Sequence, residues 1–441
     1  MRPVVPITAA RRSNRPPRAG LAALLLVLSL AVLAGFAALA IDLGLVKYVH
    51  QQLRTACEAA ALAGAAELMD RNVLFPNRSR GRVCTGIDEL DADRDNSPAL
   101  AAISAAVCDD GVQAQVERAG QIARRFAALN YVNGQPLLLD PDQPDDRAGN
   151  VVAGWVEDPS DCKAAFTPWH QDGAVNSLLV RAQLAARRGN AVGLWLAKLL
   201  GMPTADVGAS ARASVDQRVY GVRPAGSSLA PLVPLAVNYD RGRHSWLAQA
   251  FAAAKVNRND CYSVDCQSRY VSCGGDGIPE VRLEIELTPR THGDRDNCAN
   301  AALVCWHEAG TQPVAYRPHA VSRWIECGVA HDDLAALGGA LLVGQTLDTR
   351  CPANSSELRE LCEALLAARG QSRIWPLTES HSDGGARVVS LAAGVVVDAW
   401  IDQSSGRCVV LVQPTVLATN LALASRQCPH NPWIGKLQLT Q

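Results

Sequence analysis

The sequence has none of the short motifs that announce the commoner kinds of catalysis. It contains no His-Glu-x-x-His, no Gly-x-Ser-x-Gly elbow, no P-loop and no Gly-x-Gly-x-x-Gly opening a helix after a strand. There is no Cys-x-x-Cys pair, and no Cys/His spacing would build a tetrahedral zinc site, although the chain has 14 cysteines. No tandem repeat and no long low-complexity tract interrupts it. A formal net charge of -1 leaves no basic face that would invite nucleic acid.

The most informative lack is local. From Ala19 to Ile41 there are 23 consecutive residues without a charge. As a helix they span about 35 Å, against about 30 Å for the hydrocarbon core of a bilayer. Before that run stand Arg2, Arg11, Arg12, Arg15 and Arg18 with no acidic residue, so the positive-inside rule puts residues 1–18 in the cytoplasm and everything after Val46 outside it. Ala38-Leu39-Ala40 has the small-x-small form of a signal-peptidase site, and cleavage there would release a soluble protein. An uncleaved anchor is the favoured reading, because the run exceeds the usual 7 to 15 residues or so of a signal's apolar region and helical periodicity continues past the site.

What the chain does have is apolar mass and thiols. At 441 residues, 48% of them apolar, it can fill two ordinary domains with sizeable cores. All 14 cysteines come after the apolar run. An oxidising compartment that permits disulfides explains them economically, with Cys84 and Cys108, Cys351 and Cys362, and Cys408 and Cys428 as sequence-local candidate pairs. Cys57, on the helix leaving the membrane, is a small buried residue or the partner of another copy.

No turn separates the apolar run from the next segment. After Asp42, residues Leu43, Val46, Val49, Leu53, Ala56, Ala60 and Ala63 recur at steps of three and four, with Lys47, Gln51, Arg54 and Glu58 elsewhere. This predicts one continuous helix of roughly 45 to 50 residues, embedded at one end and presenting a packing surface at the other. Small residues on that face permit close packing of backbones. The favoured occupant is the protein's own domain; a partner protein or a second copy is the alternative. Asp42, at the outer boundary of the run, is expected to sit in headgroup water, although a charge there could also orient a packed bundle.

Farther on, a second amphipathic helix is predicted from Val112 to Tyr131, with Val116, Ile122, Phe126 and Leu129 apolar, ended by Asn133-Gly134. Strands are predicted at GQPLLLD, at Val151 to Val156, at Leu178 to Ala185 and at Ala205 to Val215, with a helix from Asn190 through Leu200. The proline-rich GVRPAGSSLAPLVPLAV suits a connector laid along a surface, which places a domain boundary near residue 220. Beyond it, strands are expected at Pro279 to Leu287, Ala386 to Ala399 and Arg407 to Gln413, the last two joined as a hairpin through Asp402 to Gly406. Helices are expected at Ala320 to Glu326 and Ser355 to Ala368. The fold class is thus α+β: residues 1–18 basic and cytoplasmic, 19–46 transmembrane, 47–219 an α+β extracytoplasmic domain, and 220–441 a second, β-rich α+β module.

Possible chemistry is thin. Asp91, Asp93 and Asp95 have the spacing of the first ligands of a calcium loop, but Asn96 and Ala102 stand where that loop needs glycine and a bidentate glutamate. Asp140, Asp142, Asp145 and Asp146, and Asp276 with Glu280, are weaker versions of the same idea. His331-Asp332-Asp333 and Trp306-His307-Glu308 lack the context of a catalytic set. No catalytic residue, metal or cofactor is assigned.

The join itself resembles the N-terminal segment of TadG-like proteins of the Tad (tight adherence, or Flp) pilus-assembly system. The resemblance rests on the arginine-rich start, the apolar helix, Ala40-Ile41-Asp42-Leu43-Gly44, and the run Gln52 to Ala65 that contains Ala59-Ala60-Ala61-Leu62-Ala63-Gly64-Ala65. Glu58 stands where such proteins usually have aspartate. NYVNGQPL, the stretch from Asn176 to Val215 and PLVPLAV are similar to the larger Tad-like surface proteins; residues 11 to 70 and 111 to 240 carry the likeness well, and it is weak beyond 240. The one near match to a von Willebrand A metal motif, Asp402-Gln403-Ser404-Ser405-Gly406, fails at its last position, and Leu25 stands where prepilins bear glutamate after the cleaved glycine. The resemblance implies a membrane-anchored extracytoplasmic structural protein of pilus assembly or cell adhesion, single-pass in the cytoplasmic membrane. By that resemblance it would not be an enzyme, and its partners would be the membrane and other pilus-assembly proteins or itself. The interaction helix would then use Asp42, Gly44, Val46, Val49, Leu53, Ala56, Ala60 and Ala63. The rival is a secreted or periplasmic binding protein or hydrolase released after Ala40.

Overall fold

A computed structural model of the chain describes residues 19–69, 109–139, 150–161, 163–169, 174–239, 244–252, 260–265, 268–287, 300–306, 318–380 and 385–440. By internal contacts the chain divides into two units: Met1–Thr55, Tyr131–Gln135 and Ala182–Ala209 form one, and Ala56–Asn130, Pro136–Arg181 and Ser210–Gln441 the other. The class is α+β, with a β-rich C-terminal region.

Helix α1 runs unbroken from Ala19 to Ala66, 48 residues. Alanine and leucine dominate it and proline is absent, so nothing in its interior removes a backbone donor or clashes with the preceding turn. It ends by tightening: the amides of Glu67, Leu68 and Met69 bond back three residues to Gly64, Ala65 and Ala66.

In the first unit two short hairpins accompany the helix. Tyr131–Val132 and Gln135–Pro136 are joined by Asn133 and Gly134, both with positive φ (52° and 77°), the backbone of a two-residue primed turn. The strand signal at GQPLLLD therefore yields only two strand residues, and Leu137 to Leu139 continue as irregular chain. The second hairpin pairs Val192–Gly193 with Thr204–Ala205. The helix expected from Asn190 is not formed. The Asn190 side chain accepts from the Ala185 amide instead of capping a helix, and only Ala197–Leu200 wind, as a 3-10 turn stopped by Gly201 at φ 83°.

In the second unit, helix α2 (Asp109–Leu129) buries Ala119, Ala123 and Ala127, one turn apart. Phe126 and Leu129 are exposed, so its inward face is not the expected one. The reason is the end of α1: a Cβ built on Gly64 would lie against Leu178, 2.8 Å from the Ala119 carbonyl oxygen and 3.0 Å from the Ala123 Cβ. Two backbones this close admit only small side chains.

A six-stranded sheet runs Leu417–Thr419, Ile434–Leu439, Val207–Asp216, Ser177–Leu184, Val151–Val156, Phe166–Pro168. A seven-stranded sheet has the order Val281–Ile285, Arg407–Thr415, Ala386–Asp402, Thr346–Arg350, Ala301–Cys305, Leu235–Asn238, Ser372–Ser380. The last strand also pairs with Ala386–Asp402, so five of these strands close into a ring. Helices α3 (Pro318–Cys327) and α4 (Ser355–Ala367) complete the module; Asn354 caps α4 by accepting from the Glu357 amide at 2.9 Å.

The core of this module is tryptophan-rich. Trp246 lies 6.3 Å from Trp375 and edge-on to Trp433 at 6.1 Å, ring centre to ring centre. Gly394 lets the strands approach this cluster, since a Cβ there would sit 2.5 Å from Val412 Cγ1 and 3.1 Å from Trp246. The proline-rich stretch after residue 220 is not laid along a surface. Ala230, Leu232 and Val233 are fully buried, the Val233 amide donates to Ile374 O, and the Ile374 amide donates to Pro231 O. Alternate residues reach a strand while the prolines sit where no donor is needed.

Candidate functional site

The residue that stands out on α1 is Asp42. It comes directly after the last residue of the uncharged run, yet it is only 3% exposed. The Trp195 amide donates to one carboxylate oxygen at 2.8 Å, and the amides of Leu196 and Ala197 donate to the other at 2.9 Å each. The expectation of a carboxylate in headgroup water is therefore wrong. Asp42 caps the 3-10 turn Ala197–Leu200 from another element, satisfying backbone donors that the turn leaves open. Charge-assisted bonds of this kind are roughly twice as strong as neutral ones.

Ten residues along the same helix a second tie is made. The Asn133 amide, at the tip of the first hairpin, donates to Gln52 Oε1 at 3.0 Å. Ten residues of helix rise about 15 Å. Two hairpins thus grip α1 at two heights, each through a turn whose amides point at a side chain of the helix.

The remaining residues of the expected interaction face divide. Val49, Leu53, Ala56 and Ala60 are buried within the chain, together with Cys57, Ala61 and Ala65. Val46 and Ala63 are half-buried; Leu43 and Gly44 are exposed, with open space around the Gly44 Cα. Sequence reasoning missed the roles of Gly64 and of the Trp195–Ala197 amides. Gly64 had a signal, a glycine inside an alanine stripe; the amides had none, because any sequence presents them.

From Leu24 to Ile41 the apolar side chains of α1 are exposed along its length, Leu33 and Phe36 among them. It is the only helix among the described residues long and apolar enough to cross a membrane.

The other candidates find structural employment or lie elsewhere. Glu280 is buried and accepts from the amides of Cys261 (2.9 Å) and Tyr262 (3.0 Å). Burial dominates, pushing its carboxyl up to about 7 despite those bonds. Asp276 accepts from the Ile278 amide and from Gln413 Nε2. Asp91, Asp93, Asp95, Asp140, Asp142, Asp145, Asp146, His307 and Glu308 lie outside the described residues. Among the described residues no group of three or more His, Cys, Asp or Glu side chains is placed to hold a metal. Asp333 accepts from Arg323 at 2.6 Å and from the Ala330 amide at 2.8 Å, an ordinary turn brace. Asp402 accepts from Ser404 and Ser405, shaping the hairpin tip between Ala386–Asp402 and Arg407–Thr415.

Cys351, Cys362, Cys408 and Cys428 are unbridged in this structure. Cys362 lies on the buried face of α4 and hydrogen-bonds Cys408 on the strand beneath, whereas Cys351 precedes that helix. Cys84 and Cys108 lie outside the described residues.

Residues 20–67 match the Tad family, described as Flp pilus-assembly TadE/G-like. The match covers the apolar run, Asp42 and the alanine stripe through Gly64, and stops one residue after α1 does. No curated protein and no solved structure matches the chain.

Proposed function

From a chain that carries a TadE/G-like Flp pilus-assembly segment at residues 20–67, we propose a single-pass, membrane-anchored structural protein of that assembly system. Its arginine-rich start lies in the cytoplasm, α1 crosses the membrane, and the rest projects into the periplasm or beyond. It acts through packing and protein interaction, with no catalytic step of its own.

One observation supports this reading above the others. A helix whose apolar half is bare turns, at its first charge, into a helix gripped by the protein's own turns through Asp42. Bare leucines over a membrane-length run need a hydrocarbon neighbour, while buried alanines do not. The structural role is then that α1 passes force or position outward from the bilayer without a hinge. Because Val49, Leu53, Ala56 and Ala60 are occupied within the chain, partner contacts fall to the exposed surface, of which Leu43, Gly44 and Tyr48 are the part nearest the membrane.

The test is a comparison in the native cell of the intact protein with a version in which residues 19–41 are replaced by a cleavable secretion signal. Loss of surface pili or of surface attachment in the second strain supports the reading. Normal pili in that strain, or in one lacking the protein, removes it from pilus assembly.

A further inference from the structure

The turn that holds Asp42 carries a side chain that nothing in the protein covers. Trp195 is 82% exposed, more than any other large apolar side chain among the described residues, and Met202 on the same loop is 58% exposed. Lys198 between them is exposed as well. The loop is not free to choose its position. Its base is the pairing of Val192–Gly193 with Thr204–Ala205, tightened by the bond from the Leu194 amide to Pro203 O at 2.9 Å. Its crest is fixed by the three amides on Asp42.

That attachment sets a depth. Asp42 is the residue immediately after the apolar run, so the Trp195 backbone, 2.8 Å from its carboxylate, stands at the level where the hydrocarbon ends. Tryptophan is enriched at that level because its ring is amphipathic: an apolar body with one N–H to give to headgroups. An adjacent lysine suits lipid phosphate. A solvent-facing indole elsewhere on the fold would call for no account; one pinned at the end of a bare 23-residue apolar run is continuous with it.

We propose that the Leu194–Met202 turn is a second membrane contact, with Trp195 and Met202 entering the outer headgroup layer beside α1. This rests on α1 being a membrane anchor. Asp42 then has a second consequence: it holds the interfacial turn against the anchor, so that this unit meets the bilayer in a fixed orientation and not through a single swivelling helix.

The experiment uses full-length protein reconstituted into phosphatidylcholine/phosphatidylglycerol vesicles whose acyl chains are brominated near the headgroup. Tryptophan emission is compared with that in unbrominated vesicles, for wild type and for Trp195→Phe, whose exposed position spares the core. The chain has nine tryptophans, and none lies within residues 19–41. The expected result is quenching in the wild type that Trp195→Phe abolishes, a loss of roughly one tryptophan's emission. Equal quenching in both proteins, while both float with the vesicles, overturns the interfacial turn and leaves the anchor standing; such a tryptophan would face a protein partner instead. Failure of both proteins to float with vesicles overturns the anchor and the turn with it.

Discussion

Asp42 and Trp195 are 153 residues apart in sequence and meet in a 2.8 Å hydrogen bond, the carboxylate of one receiving the backbone amide of the other. The first charge after the apolar run is thus spent on the protein's own backbone. Replacing it with alanine leaves the amides of Trp195, Leu196 and Ala197 without their acceptor. Backbone donors left without their acceptor loosen the turn. The expected outcome is faster hydrogen exchange at those three amides and new proteolytic nicking between residues 190 and 205. Asp42→Asn keeps one acceptor oxygen and gives a smaller effect. Unchanged exchange in Asp42→Ala would mean that the clamp contributes nothing.

Gly64 is the tightest point between α1 and α2. Substituting leucine places a side chain where the Ala119 carbonyl oxygen and Ala123 already stand. Overpacking of this kind costs about 1 to 3 kcal/mol, and more where backbone must move. Thermal unfolding in detergent is expected to shift down by several degrees, whereas Gly44→Leu, in open space on the same helix, leaves it unchanged.

These positions also mark how far the sequence could be read. The continuous helix was legible, because an uncharged run of membrane length passes without a break into steps of three and four. So were the strand Val151–Val156 and the hairpin tip at Asp402. The inward face of α2 was not. Periodicity weighs large apolar residues most, and here alanine faces inward while Phe126 and Leu129 face out. Nor was the partner of Asp42, since a backbone amide leaves no mark in the text. The prolines after residue 220 suggested a surface path, but Leu232 and Val233 between them are core.

Two carboxylates give the second unit opposite pH responses. Burial raises Glu280 from its ordinary 4.5 to about 7, so the folded protein keeps a proton that the unfolded chain loses. Its contribution is full below pH 4.5, falls between 4.5 and 7, and is gone above, a swing of roughly 3 kcal/mol. In Glu280→Gln the decline across that window disappears. For Asp158 burial alone would raise the carboxyl, but bonds from Ser160, Arg426 and Arg218 outweigh it and hold it well below the usual range. Its contribution is present above pH 3.8 and is lost as pH falls through the lowered value. Asp158→Asn should therefore be less stable than wild type at pH 7 and approach it in strong acid, as read by urea midpoints.

Thiol reactivity should track burial. Cys261, Cys273 and Cys327 are exposed, while Cys362 and Cys408 are buried against each other. The bond with Cys362 and burial push the Cys408 thiol up, which keeps it protonated and unreactive. In brief iodoacetamide treatment of the native protein, peptide mapping is expected to find label on the first three and none on the last two until the protein is unfolded. Early labelling of Cys408 would contradict the packing of α4 on its strand.

The central claim is that α1 remains attached and crosses the membrane as one piece with the helix held by Asp42. Intact mass of the protein recovered from fractionated cells tests it most directly. The account predicts full-length mass, including residues 1–40, in the membrane fraction. A mature form beginning at Ile41 in the soluble fraction would contradict it.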